Sequence, residues 1–133
     1  SEMYPFFKKI LYDFCLDNDI KINEILRGCL NLTYPSSVYE HGDPHVDYTF
    51  DTNQVIMYLN EFDEGETLVF NEEYGKDGFN DAIISVSEIK RFALKEKIIP
   101  QKGKIIFIDG KNYHTTKWCS PKQRRIICVW VFK

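Results

Sequence analysis

The chain has 133 residues, of which 44% are apolar and 15% aromatic, enough to bury the core of one domain spanning 1–133. Charged residues make up 28% in both signs, with a formal net charge of −3, so the chain lacks the basic field that gathers nucleic acid or an anionic membrane. The longest apolar stretch, residues 126–132, falls far short of the roughly 20 residues that a membrane-crossing helix needs.

In chain order, Pro5 suits a first helical turn, and Phe6, Phe7, Ile10, Leu11, Phe14 and Cys15 recur at helical spacing. This predicts an amphipathic helix over 4–16, ended by Asp17-Asn18-Asp19. The same segment has an acid before its lysines and no small-residue cleavage site, so it does not read as a secretory signal. From residue 25 to 34, alternating apolar and polar residues predict a half-buried strand. Further strands are expected at 55–60, 67–70, 82–86, 92–99, 104–108 and 124–132, separated by Asp, Asn, Gly and Pro clusters. That spacing fits an antiparallel sandwich or barrel. The acidic, glycine-containing segment 71–81 is expected to be an exposed loop and a candidate lid. Cys15, Cys29, Cys119 and Cys128 are scattered without a CxxC, as befits small buried residues and reduced thiols in a cytoplasm.

His45-Val46-Asp47 places two metal-competent side chains at i and i+2, which an extended backbone projects to one face. His114, in DGKNYHTT after an apolar run, stands at an expected strand end and supplies a third ligand. Two imidazoles and one carboxylate leave three adjacent positions of an octahedron open, which suits Fe(II) holding a chelating co-substrate and oxygen. A structural zinc site would be closed by four ligands. Arg124 follows ten residues after His114, and period two groups it with Ile126, Cys128 and Trp130 on one strand face. A guanidinium there calls for a buried anion and matches a carboxylate bidentately. Arg125 points the other way and is the competing register.

In this order, HVD, VIMYLNEFDEGETLVF, PQKGKIIFIDGKNYH and RRIICVWVF resemble the 2-oxoglutarate- and Fe(II)-dependent oxygenase superfamily. The prolyl-4-hydroxylase-like branch, including its short phage-type members, is the most similar. The resemblance covers about residues 26–133 and implies a mainly β fold with an N-terminal helix, its core a double-stranded β-helix, the cupin-like jelly-roll barrel. It assigns His45, Asp47 and His114 to the iron, and Arg124 to the distal carboxylate of 2-oxoglutarate. Tyr58 and Tyr34 match two further contacts to that co-substrate. Gly65-Glu66-Thr67 lacks the doubled glycine that the family often has at this turn, and the glycine shortly before the basic residue is also missing.

The resemblance further implies that 2-oxoglutarate and O2 are consumed to succinate and carbon dioxide while an unactivated C–H bond is hydroxylated. Ascorbate is the expected reductant and a peptide, with proline among the candidates, the expected substrate. A hydroxylase of a free metabolite or nucleobase, and a cupin-like module that holds metal without turnover, are the rival readings. His41 and Tyr39 are candidate rim residues, and Trp118 and Trp130 are read as packing.

Overall fold

The structure is a computed structural model that describes residues 2–35 and 39–133. Helix α1 (Met3–Asp17) opens the chain, with Pro5 in its first turn, and seven strands follow. They are β1 (Ile25–Thr33), β2 (Asn53–Tyr58), β3 (Thr67–Glu73), β4 (Leu94–Ile98), β5 (Ile105–Asp109), β6 (Asn112–Thr116) and β7 (Arg125–Phe132). Asp19 ends the helical segment by taking the left-handed conformation at φ 55°, which lets Ile20 N–H close onto the Cys15 carbonyl at 2.8 Å. No helix among the described residues is long and apolar enough to cross a membrane.

The strands form two antiparallel sheets, one in the order β1-β7-β2-β5 and the other β4-β3-β6. Ile56, Tyr58, Ile106, Ile108, Ile127, Val129 and Val131 from the first meet Val69 and Ile98 from the second in a shared core. On the opposite face of the first sheet, Leu11 and Cys15 of α1 pack against Val55, Met57, Cys128, Trp130 and Phe132. Strand β7 is therefore covered on both faces. Trp130 fits only because position 28 is glycine, since a Cβ there would lie 2.4 Å from the indole ring.

Several expected boundaries move. No strand spans 82–86, where a 3-10 helix (Val86–Arg91) begins instead, with the Ser85 hydroxyl accepting from Ser87 N–H. β6 takes the place of the strand-end loop expected around His114, so this histidine lies inside a strand. β3 runs on to Glu73, and the segment after it is exposed as expected, except at the half-buried Tyr74 and the buried Phe79. Phe79 is buried among Val46, Leu68, Phe70, Ile84 and Tyr113, with the Arg91 guanidinium 4.7 Å above its ring. A large apolar side chain anchored in this way holds the loop down, and none of it lines the cavities described below, so the lid reading fails.

The turn before β3 explains the missing doubled glycine. Glu64 (φ 58°) and Gly65 (φ 72°) are both left-handed, so a non-glycine residue occupies the first position. Gly65 has no such freedom, because a Cβ would meet the Phe62 ring at 2.6 Å.

Candidate metal centre

β6 presents alternate residues to opposite sides, and His114 faces the space between the sheets while Tyr113 enters the aromatic cluster behind it. The free edge of β6 is covered by the chain at His45, which pairs with His114 through N–H···O bonds of 3.0 Å in both directions. Ile83 bridges to the far side of His45. These backbone bonds fix the two histidines side by side, with ring centroids 4.6 Å apart. Asp47, two residues on, turns its carboxylate to the same point.

The donor atoms are sorted by their partners. His45 Nδ1 lies 2.9 Å from the Asp43 carbonyl oxygen and His114 Nδ1 3.3 Å from that of Asn112. A carbonyl only accepts, so each Nδ1 carries a proton; in the neutral ring Nε2 then holds the lone pair a metal would take, and in the protonated ring it donates to Asp47. The Nε2 atoms approach Asp47 Oδ1 at 3.3 Å for His45 and 3.6 Å for His114. All three ligating atoms fall within 4.8 Å of one another. Ligand atoms at right angles on a transition metal, each about 2.1 Å from it, lie about 3 Å apart, so this donor set fits one ion.

Charge follows the same arrangement. Burial alone would raise the pKa of Asp47, but the hydrogen bonds and charge of His114 and His45 outweigh it and hold the carboxyl well below the usual carboxylate range. For His45, burial is the largest influence and pulls downward; Asp47 and the Asp43 carbonyl together exceed it, and the net shift is upward. The site thus keeps an anion next to the His45 imidazole, whose protonation it favours.

A cavity of about 160 Å³ beside the three donors is lined by Arg27, Asn31, Gln54, Ile56, Thr67, Thr116 and Arg125, with Ile127 and Val129 at its apolar wall. His45, Thr116 and Arg125 also line a wider mouth of about 400 Å³, shared with Thr33, Gly42, Asp43, Ile83, Thr115 and Trp118. Arg125 is 5% exposed and Arg124 lies on the surface. The inward-facing arginine of this strand is therefore Arg125, where period two alone pointed to Arg124. The physical reason is the far face of β7: Cys128 and Trp130 pack under α1, so odd-numbered residues turn inward.

Among the described residues no carboxylate lies within 4.0 Å of Arg125, its Nε is buried without a partner, and Nη2 donates to Thr67 Oγ1 at 3.3 Å. The guanidinium sits 5.7 Å from the centroid of the Tyr58 ring, and the Tyr58 hydroxyl is bonded to the same Thr67 oxygen at 2.6 Å. Burial lowers the Arg125 pKa, and burial likewise raises that of Tyr58 against the pull of Thr67 and Arg125. Tyr58 is fully buried on the inward face of β2 beside Arg125. Tyr34 is 55% exposed beyond the end of β1 and lines neither cavity; its neighbour Thr33 reaches the mouth instead. Tyr39 and His41 also lie outside both linings, whereas Trp118 belongs to the mouth and Trp130 to the core under α1.

Two residues at the site have no counterpart in the motifs. Arg27 Nη2 and Gln54 Nε2 donate to Asp47 Oδ2 at 2.7 and 2.6 Å. Their sequence signal is faint, a polar residue on the inward period of β1 and of β2.

No family model and no curated protein sequence matches the chain. Among solved structures, a nickel complex of the non-haem monooxygenase ThoJ aligns over 82% of this chain with a TM-score of 0.51 at 9% sequence identity. The chain spans 43% of that protein's length. A likeness at this identity shows a shared fold. Fold and site together define a mainly β protein of antiparallel sheets with a possible metal site of two histidines and one aspartate.

Proposed function

We propose that residues 1–133 form one double-stranded β-helix domain of a 2-oxoglutarate- and Fe(II)-dependent oxygenase, which hydroxylates an unactivated C–H bond. The reading is supported by the donor set, the resemblance of the four motifs and the fold shared with a non-haem monooxygenase. The observation that carries it is Arg125, a buried guanidinium with no carboxylate partner among the described residues, lining the cavity that also receives the three donors. Such a cation is costly in a protein interior unless an anion joins it, and a dicarboxylate that also reaches the metal site is the ligand this geometry calls for.

His45, Asp47 and His114 would hold the ferrous ion through Nε2, Oδ1 and Nε2. The bound iron supplies oxygen activation coupled to the decarboxylation of 2-oxoglutarate. Arg125 orients the far carboxylate of the co-substrate, replacing Arg124 in that role. Thr67 and Tyr58 brace the guanidinium from the side, Tyr58 acting through the Thr67 hydroxyl. Ile56, Ile127 and Val129 exclude water from the inner wall. The mouth carries Thr33, Ile83 and Trp118 beside Asp43, a mixed surface suited to a peptide-like group; a peptidyl substrate with proline among the candidates follows from the branch resemblance.

The test is succinate formation from 2-oxoglutarate by the iron-loaded protein with ascorbate and a panel of peptides, metabolites and nucleosides, compared in air and under nitrogen. Oxygen-dependent succinate with a +16 Da product in one class is expected. Metal and 2-oxoglutarate binding without succinate across the panel would make the chain a binding module.

A further inference from the structure

We infer that Arg27, backed by Gln54, is a positioning residue that restricts Asp47 to ligating a metal through one oxygen; the inference rests on the metal-centre reading above. The two carboxylate oxygens of Asp47 are treated differently by the fold. Oδ2 accepts from Arg27 Nη2 at 2.7 Å and Gln54 Nε2 at 2.6 Å, while Oδ1 faces the Nε2 atoms of His45 and His114. An oxygen whose lone pairs are held by two donors, one of them charged, is a poor ligand. The carboxylate therefore binds through Oδ1 alone, and a second oxygen does not close one of the adjacent positions that a chelating co-substrate and oxygen need.

Gln54 comes from β2, is 2% exposed, and places the same amide nitrogen 3.5 Å from His114 Nε2. The amide that holds Oδ2 is thus itself fixed in the interior. Arg27 comes from β1, the outer strand of its sheet, and its side chain is 45% exposed against 11% for Asp47. Its only ion pair among the described residues is with Asp47. Arg27 is itself half in solvent, and without it Asp47 keeps Gln54, His45 and His114 as neighbours, so the position of Arg27 is better explained by what it does to the carboxylate than by what it does for the fold.

An ordinary surface ion pair and a positioning residue respond differently to the same change. Co(II) is the probe, with affinity read by titration calorimetry and coordination by its visible absorption spectrum, in the wild type, Arg27→Met, Arg27→Lys and Gln54→Met. Each metal-free protein is also melted. Arg27→Met is expected to weaken Co(II) binding by about tenfold or more, to change the spectrum, and to leave the metal-free melting temperature nearly unchanged. Arg27→Lys is expected to recover part of the affinity. Unaltered Co(II) affinity and spectrum in both Arg27→Met and Gln54→Met would overturn the inference while leaving the metal centre standing. A wild type that takes up no Co(II) would remove the metal centre and this inference with it.

Discussion

The two faces of β7 are both buried and both apolar, yet they serve different ends. The outward face, Cys128, Trp130 and Phe132, lies under α1 in a closed hydrophobic layer. The inward face, Ile127, Val129 and Val131, shares the core between the sheets and ends at Arg125, which opens on the cavity of the three donors. Each face carries one buried polar atom without a partner among the described residues, Trp130 Nε1 outward and Arg125 Nε inward, but only the inward one belongs to a cation and opens on a cavity. On a doubly buried strand the functional face is thus marked by an unpaired charge beside a cavity, not by its hydrophobic pattern or by an unsatisfied polar atom alone.

The sharpest way to separate the faces is to damage one of them. Trp130→Ala removes the largest side chain of the outward layer and is expected to cost about 3–5 kcal/mol of unfolding free energy in denaturant titrations, while the folded fraction still binds metal. Loss of metal affinity at temperatures where the variant is folded would show that the layers are coupled.

The inward face should give the opposite pattern. Arg125→Met is expected to raise the 2-oxoglutarate requirement by roughly 30- to 100-fold, the scale of losing charge-assisted hydrogen bonds worth about 2–3 kcal/mol. In the metal-free protein the same change removes an unpaired buried cation and is expected to raise the melting temperature. Arg124→Met, on the surface, should alter neither. Equal effects of the two arginine variants would contradict the register described for β7.

A smaller effect comes from protons. His45 has a pKa raised above the ordinary imidazole value and so keeps its proton to higher pH than a free histidine would. Metal binding requires neutral Nε2, so affinity is full above that raised pKa and falls as pH drops through it, by about tenfold per pH unit once one proton competes. Co(II) titrations between about pH 5.5 and 8 check this, and a flat profile would exclude His45 as a ligand. The smallest effect concerns the outward face again. Cys128 is buried and its thiol is pushed up to about 11 by burial, so alkylation of this residue should wait for unfolding.

The donors were legible because two-residue spacing and a distant histidine are properties of the chain itself. The helix over 4–16 and most strands were legible through their periodicity. β6 was hidden because its inward residues, His114 and Thr116, are polar and interrupt the apolar signal that marks a strand. The choice between Arg124 and Arg125 was not decidable by alternation, since a central strand covered on both sides reads as one continuous apolar run. Only the Trp130 contact with Gly28 and α1 fixes which residues turn inward. Arg27 and Gln54 escaped notice because residues that orient a ligand carry no spacing of their own, and their meaning exists only once β1, β2 and Asp47 are brought together.

The most direct measurement is a crystal structure of the protein with Mn(II) and 2-oxoglutarate under anaerobic conditions. One ion is expected on His45 Nε2, His114 Nε2 and Asp47 Oδ1, with the far carboxylate of the co-substrate on Arg125. An ion bound elsewhere, or a carboxylate that bypasses Arg125, would contradict this placement.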